Sequence, residues 1–456
     1  MSDDWKGRQV LVLGLGDSGL STLRWLAKRG ALLRAADSRA SPPALGKIRE
    51  EQAGLRLDLG AFAPALLEGV DTIVASPGIA LREPILREAA QRGIEIVGDI
   101  EIFARELRGK GNARVIGVTG TNGKSTVTAL ACEMARAASL RAQAVGNIGL
   151  PVLDALEAAE SQPVDVWAVE LSSYQLETTS HLACDAATVL NVTQDHLDRY
   201  ESMAHYAAAK ARIFRSCRTR VVNRDDPVTL AMSERTSSTF TFGLGVPEND
   251  TEWGLDEARR AVRRGKRELF ALDEVAIPGL HNAMNAMAAH ALGTAIGLPE
   301  DAMAQAIRDF RGLPHRVQLV AETGGVRFYD DSKGTNVGAS VAALEGFTQP
   351  VVLIAGGDGK GQDFSPLAPA VKARARAVVL IGRDSEAIAK ALAGTGVTLE
   401  RASSMEQAVR TAHALAKPGD AVLLSPACAS LDMFRNYGHR GEVFAAAARA
   451  VVEGVR

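Results

Sequence analysis

Val115-Ile-Gly-Val-Thr-Gly-Thr-Asn-Gly-Lys-Ser-Thr-Val-Thr128 is the stretch on which the reading of this chain turns. Its β-branched start, Val115, Ile116 and Val118, predicts a buried strand. Gly120, Thr121, Asn122 and Gly123 predict a tight turn with unusual backbone angles. Lys124-Ser125-Thr126 then opens a run rich in Ala, Leu and Met that predicts a helix. A strand, a glycine turn, Gly-Lys-Ser and a helix together fold a backbone around a phosphate chain. The N–H groups point inward, the lysine reaches the outer phosphates, and the serine hydroxyl can sit on Mg²⁺. The strict pattern G-x-x-x-x-G-K-[ST] places glycine at 118; here Val118 stands there, with glycines at 117 and 120. The loop therefore reads as a P-loop variant rather than an ordinary βα turn.

Around this stretch lie 456 residues, enough for about three domains. Hydrophobic content of 46% and charged content of 23% fit an ordinary globular protein. A net charge of −2, with no basic half or tail, gives no case for nucleic acid or an anionic membrane. Met1-Ser2-Asp3-Asp4 is acidic and polar, unlike a secretory signal, and no run approaches the ~18 apolar residues of a membrane span. The expectation is a cytoplasmic protein. Cys132, Cys184, Cys217 and Cys428 are far apart and form no C-x-x-C, as expected of buried reduced thiols.

Residues 1–110 predict a first α/β domain. The strand Gln9–Leu13 runs into Gly14-Leu-Gly-Asp17-Ser18-Gly19, a G-x-G-x-x-G turn, and Asp37-Ser38-Arg39 ends the next strand. The turn serves any diphosphate ligand, so the fingerprint is Rossmann-like without naming a cofactor. Asp37 offers an acid for hydroxyls and Arg39 a base for phosphate; Ser76-Pro-Gly78-Ile79 is another loop at a strand's carboxyl end. Arg108–Asn112 reads as a linker.

Residues 111–312 predict a central P-loop ATPase-type domain with a parallel sheet. Val164–Val169 is a strand ending at Glu170, a candidate for Mg²⁺ or water positioning. Ala186–Val192 is the next strand and opens into Thr193-Gln-Asp195-His196-Leu-Asp198-Arg-Tyr200. There a histidine between two acids is as well suited to metal or catalysis as to structure. Lys210 lies on a helix that spans 206–214 and by default reads as a surface lysine. Residues 237–278 predict a small antiparallel patch flanking an exposed, charged insertion with no assigned chemistry, its last piece at Val275–Ile277. Asn282 and Asn285, three apart on the next helix, share a face and can meet a ligand.

Residues 313–456 predict a third, Rossmann-like α/β domain after a hinge candidate at Gly312. Its strands end in Asp330-Asp331-Ser-Lys333-Gly-Thr335-Asn336, in Gly356-Gly-Asp-Gly-Lys360-Gly361 and in Ser425-Pro-Ala-Cys-Ala-Ser430-Leu431-Asp432. Lys360 is followed by glycine, so the middle loop is not a second P-loop.

Taken together, Gly120–Thr126, Glu170-Leu-Ser-Ser, Asp195-His196-Leu-Asp-Arg-Tyr200, Ala209-Lys210-Ala-Arg, His281-Asn282, Pro314-His315-Arg316 and Asp331-Ser-Lys333 resemble the Mur ligases. These are ATP-dependent amide-forming enzymes of peptidoglycan precursor synthesis. The Gly14–Gly19 loop with Asp37-Ser-Arg39, the glycine loop at 356–361 and Ser425–Asp432 are most similar to the members that add D-glutamate. The resemblance spans all three domains.

The resemblance implies that ATP, UDP-N-acetylmuramoyl-L-alanine and D-glutamate are the substrates and that the protein is a monomer. Lys124, Glu170, His196 and Lys210 would be catalytic. Gly120, Thr121, Asn122, Gly123, Lys124, Ser125, Thr126, Asn282, Arg316, Asp331 and Lys333 would hold ATP. Asp17, Ser18, Asp37, Ser38, Arg39, Gly78 and Asn147 would meet the UDP substrate. Thr335, Lys360, Ser430, Leu431 and Tyr437 would form the D-glutamate pocket; Tyr437 stands where the family often has Phe. Two Mg²⁺ are implied, with Ser125 and Glu170 on one, and His196 and a CO₂-carbamylated Lys210 on the other. The alternatives are another amino-acid-adding Mur ligase, a folylpolyglutamate-synthase-like ligase, a P-loop regulatory ATPase and an NAD-dependent dehydrogenase. The last leaves the P-loop unexplained.

Overall fold

The computed structural model describes residues 5–108, 113–196, 199–232, 238–275, 277 and 279–454. The expected linker at 109–112, Asp198 and Pro278 lie outside them.

The first sheet comprises β1 (Gln9–Leu13), β2 (Leu32–Asp37), β3 (Arg56–Leu59), β4 (Thr72–Ala75) and β5 (Glu95–Val97). All its pairings are parallel, in the order β3-β2-β1-β4-β5. Its central strands are continuous apolar runs because helices cover both faces. Leu11, Leu13 and Ile73 are wholly buried against Leu86 and Ala89. The order reverses between β1 and β4, so the loops after them face one crevice. Helix α1 (Asp17–Lys28) starts from the first of these loops, and α2 (Asp99–Leu107) follows β5.

The central sheet contains β6 (Arg114–Thr119), β7 (Ala142–Gly146), β8 (Val166–Glu170), β9 (Cys184–Val189), β10 (Cys217–Asn223), β11 (Thr239–Phe242), β12 (Glu252–Leu255), β13 (Ala261–Arg264) and β14 (Arg267–Ala271). Their order is β14-β13-β12-β11-β10-β9-β6-β8-β7. It is parallel from β7 to β12 and turns antiparallel at β12–β13. The switch point lies at β6, the strand that feeds the glycine turn and α3 (Lys124–Ala137).

Two expectations are corrected here. The charged insertion is not merely exposed: β12 runs through it and buries Trp253 completely. Val275 is not in a strand; it follows a 3₁₀ turn at Leu272–Glu274.

The first two sheets belong to one unit, made of residues 1–191, 204–270 and 286–307. Within it α1 meets α4 (Val152–Ala158), where Asp154 N–H donates to Ser21 Oγ at 3.1 Å. Phe103 of α2 meets Trp167 edge-on at 5.3 Å. Glu101 accepts from the amides of Ser180 and His181 at 2.7 and 3.0 Å.

The second unit is built from residues 192–203, 271–285 and 308–456. Its sheet contains β15 (Gln318–Thr323), β16 (Val326–Asp330), β17 (Val351–Gly356), β18 (Ala375–Ile381), β19 (Thr398–Arg401) and β20 (Ala421–Leu424) in the order β15-β16-β20-β17-β18-β19. Only β15 is antiparallel to its neighbour. Both faces are apolar and covered, one by a cluster with Leu344 and Leu353, the other by one with Val379 and Phe444. The fold is thus α/β with three sheet-bearing domains, as expected.

Candidate active site

In the first unit the glycine turn leaves β6 and enters α3 at Gly123, whose φ of +84° at the N-cap suits a residue without Cβ. The Lys124 ammonium donates to the carbonyls of Gly120 and Thr121 at 2.9 and 2.8 Å. Lys210, on α5 (Met203–Ala211), is 1% exposed rather than on the surface. Its ammonium donates to the same Gly120 oxygen at 2.8 Å and lies 4.5 Å from the Tyr206 ring. Two ammonium groups on one carbonyl make the turn a centre of positive charge suited to a polyanion.

β8 runs beside β6 with Glu170 opposite Val118, which sets Glu170 at the edge of the turn. Glu170 is buried. Oε1 accepts from Asn147 Nδ2 at 2.8 Å, while Oε2 is buried with no hydrogen-bond partner among the described residues. A buried carboxylate oxygen left without a donor is costly unless a cation completes it. Glu170 with the Ser125 hydroxyl therefore fits a hard divalent ion, whose ligands are oxygens. Among the described residues no cluster of three or more His, Cys, Asp and Glu could hold a metal.

The first sheet's crevice gathers Asp17, Ser18, Asp37, Ser38, Arg39 and Gly78 at the carboxyl ends of β1, β2 and β4. Asp37 is not a free acid. It accepts from the Leu15 amide at 2.7 Å and from the Arg39 Nε and second guanidinium nitrogen at 2.8 and 2.7 Å. The Arg39 hydrogen bond, opposed by burial, holds its pKa down at about 2. Asp37 thereby ties the glycine loop to Arg39.

The other expected residues belong to the second unit. His196 has φ +56°. Its amide donates to Asp195 Oδ1 at 2.9 Å, and its Nε2 lies 3.6 Å from Asp195 Oδ2. Asp195 also accepts from Lys360 Nζ at 3.1 Å and from Asn336 Nδ2 at 3.3 Å. Lys360, expected in the D-glutamate pocket, thus has its ammonium on Asp195. Asp331 is buried beside Ser425, whose hydroxyl donates to it at 2.7 Å; burial raises its pKa to about 7. Lys333 Nζ sits 4.0 Å from the Tyr437 ring. Asn285 Nδ2 donates to Asn282 Oδ1 at 3.2 Å, so the two do share a face. Thr335 lies on the loop leading to α6 (Val337–Glu345); Ser430 is buried and Leu431 is 72% exposed.

Sequence reasoning missed two residues that shape these loops. Asn191 grips the glycine turn: Asn122 N–H donates to its Oδ1 at 2.8 Å, and its Nδ2 donates to Asn122 O at 3.1 Å. Its place at the carboxyl edge, two residues past β9, was the available signal. Arg440, 1% exposed on the helix Tyr437–Gly454, donates to Ser332 Oγ at 2.9 Å, Ser332 O at 2.8 Å and Cys428 O at 3.0 Å. No local pattern marks it.

Three family models match the chain: Mur ligase MurD-like, N-terminal domain over 8–98, Mur ligase middle domain over 118–293, and Mur ligase, glutamate ligase domain over 315–428. A relative from Methylobacillus flagellatus, named UDP-N-acetylmuramoylalanine--D-glutamate ligase, is 55% identical over 96% of each chain. Another of the same name from Nitrosomonas europaea is 49% identical over 98% of this chain and 97% of its own. Among solved structures, the UDP-N-acetylmuramate-alanine ligase MurC of Thermotoga maritima shares the fold with a TM-score of 0.61 at 18% identity, covering 97% and 99%. MurF of Acinetobacter baumannii does so at 0.61 and 14% identity, covering 98% and 92%.

Proposed function

The chain belongs to the Mur ligase family, and on that premise we propose that it joins D-glutamate to UDP-N-acetylmuramoyl-L-alanine at the expense of ATP, in cytoplasmic peptidoglycan precursor synthesis. The observation that carries the chemistry is the pair of lysine ammoniums on the Gly120 carbonyl beside the half-satisfied carboxylate of Glu170. Identity of about half over the whole length to D-glutamate ligases carries the substrate choice.

The L-alanine carboxylate attacks the γ-phosphorus of ATP, ADP leaves, and an acyl phosphate forms. The D-glutamate amine then attacks the acyl carbon, a tetrahedral intermediate collapses, and phosphate departs with the amide formed. An anionic carboxylate has to approach an anionic phosphate, so the first step is limited by charge. Lys124 supplies one positive group, and the turn's N–H groups supply a preorganised cradle. Each such well-placed donor is commonly worth ~3–4 kcal/mol. Two Mg²⁺ ions, when bound, supply the rest of the neutralisation of the phosphate oxygens. Ser125 and Glu170 would hold one; His196 and Lys210 the other.

Lys210 serves as a ligand only as a carbamate, formed when its neutral amine adds CO₂ and releases a proton. Conversion to an anion removes the repulsion between its ammonium and that of Lys124. Asn282, Arg316, Asp331 and Lys333 serve the nucleotide. Asp17, Ser18, Asp37, Ser38, Arg39, Gly78 and Asn147 serve the UDP substrate. Thr335, Lys360, Ser430, Leu431 and Tyr437 serve D-glutamate. The domains divide at 1–110, 111–312 and 313–456, and the enzyme works as a monomer.

Phosphate release from ATP should require both UDP-N-acetylmuramoyl-L-alanine and D-glutamate. Equal turnover with L-lysine, meso-diaminopimelate or L-alanine in place of D-glutamate removes the specificity assignment. Lys210→Ala should abolish turnover, with partial recovery on adding a small carboxylate; full activity removes Lys210 from the reaction.

A further inference from the structure

The second unit holds a cavity of about 640 Å³ that none of the residues assigned above to nucleotide, UDP substrate or D-glutamate lines. That volume is in the range of small-molecule sites. One wall is the chain at Leu272 and Val275, and the opposite wall is β16 with the end of α6. The apolar lining includes an aromatic pair, Tyr329 and Phe347, edge-to-face with centroids 5.0 Å apart. Arg327 precedes Tyr329 by two residues on β16 and so points to the same face. As a residue Arg327 is half-buried, and its guanidinium makes no hydrogen bond or ion pair among the described residues. Glu345, exposed at the end of α6, is likewise without an ion pair among the described residues. His281 completes the lining, its ring packed so closely on Gly346 that a Cβ there would lie 3.3 Å from Cε1. Burial pushes its pKa down to about 4, so it is a neutral donor and acceptor near pH 7.

The cavity therefore offers one cation, one anion and an aromatic wall. A guanidinium without a partner on a cavity wall favours a carboxylate, most of all one held by its fork of N–H groups. A second charge of opposite sign on the same cavity disfavours a simple anion and favours a ligand that carries both charges. We propose that this cavity binds an aromatic α-amino acid as its zwitterion. The carboxylate rests on Arg327, the ammonium on Glu345, and the ring against Tyr329 and Phe347. This assignment is independent of the ligase reaction and is read by binding alone.

The test is calorimetric titration of L-tryptophan into the full-length protein, alone and with saturating ADP. One saturable site is expected. Arg327→Gln and Glu345→Gln should each weaken it about tenfold, the scale of one lost charge-assisted contact. Indole-3-propionate, which lacks the ammonium, should bind more weakly and be insensitive to Glu345→Gln. Both substitutions are at partly or fully exposed positions, and thermal melts verify that the variants are folded. No binding at 10-fold above about 1 mM overturns the proposal. So does affinity unchanged in Arg327→Gln. Affinity unchanged in Glu345→Gln overturns the zwitterion. Competitive displacement by ADP makes the cavity part of the nucleotide site and equally overturns it.

Discussion

Asn191 holds the Asn122 peptide through both its N–H and its carbonyl, at 2.8 and 3.1 Å, and so fixes the glycine turn before any phosphate arrives. Truncating it removes two hydrogen bonds of about 1 kcal/mol each and strands a turn amide. Asn191→Ala should cut kcat/KM for ATP by roughly 10- to 100-fold, while Asn191→Asp, which keeps the acceptor, should lose less. Steady-state kinetics with ATP varied decides; wild-type values for the alanine variant eliminate the clamp. Asp331 changes its charge state near neutrality. Burial raises it from an ordinary 3.8 to about 7, with the Ser425 hydroxyl and Arg316 pulling the other way. The folded protein therefore keeps a proton that the unfolded chain releases near pH 4. Its contribution to stability is fully present below about pH 4 and is lost as pH rises through about 7. Asp331→Asn, which imitates the protonated form, should flatten that part of the curve of Tm against pH. A difference in Tm between wild type and variant that stays constant from about pH 5 to 8 defeats the assignment.

Among the elements, β12 shows why part of the fold escaped a reading of the sequence. Strands such as β1 and β6 announce themselves because both faces are buried and the run is apolar throughout. β12 and β13 are four residues each, so only two side chains of each point to a given face. Against Arg259, Arg260, Arg263 and Arg264 that short alternation does not stand out. Trp253 nonetheless anchors the segment. It is wholly buried, its ring lies 5.1 Å from Phe240, and its Nε1 donates to His290 Nδ1 at 3.1 Å. Trp253→Ala should cost ~3–5 kcal/mol in denaturant unfolding, the usual scale for emptying a buried aromatic site. His290 adds a pH limb. Burial, with Arg264 nearby, lowers its pKa to about 4, so the ring must be neutral in the folded state. That contribution is present above about pH 6.5 and is lost as pH falls towards 4. His290→Phe should reduce the acid sensitivity of the midpoint. An unchanged acid limb, or a Trp253→Ala cost below about 1 kcal/mol, contradicts this account of the patch.

Across the whole molecule, motifs were legible one at a time because each sits where a strand delivers it, at a carboxyl edge. Their partners were not, because nothing local specifies them. Asp195 meets Lys360 across 165 positions, and Arg440 meets Ser332 across 108. The second unit takes in 192–203 and 271–285 as well as the C-terminal stretch, an interleaving that no linear reading anticipates. This arrangement bears on catalysis. The glycine turn, Glu170 and Lys210 lie in the first unit, while Arg316, Asp331, Lys333 and His196 lie in the second. Gly312, the expected hinge, has φ +86° and lies within the second unit, which resumes at Arg308. Lys124→Ala in the first unit and Lys333→Ala in the second should each weaken binding of a non-hydrolysable ATP analogue about tenfold, the scale of one lost charge-assisted contact. Wild-type affinity in either variant, read by calorimetric titration, removes that lysine from the nucleotide site.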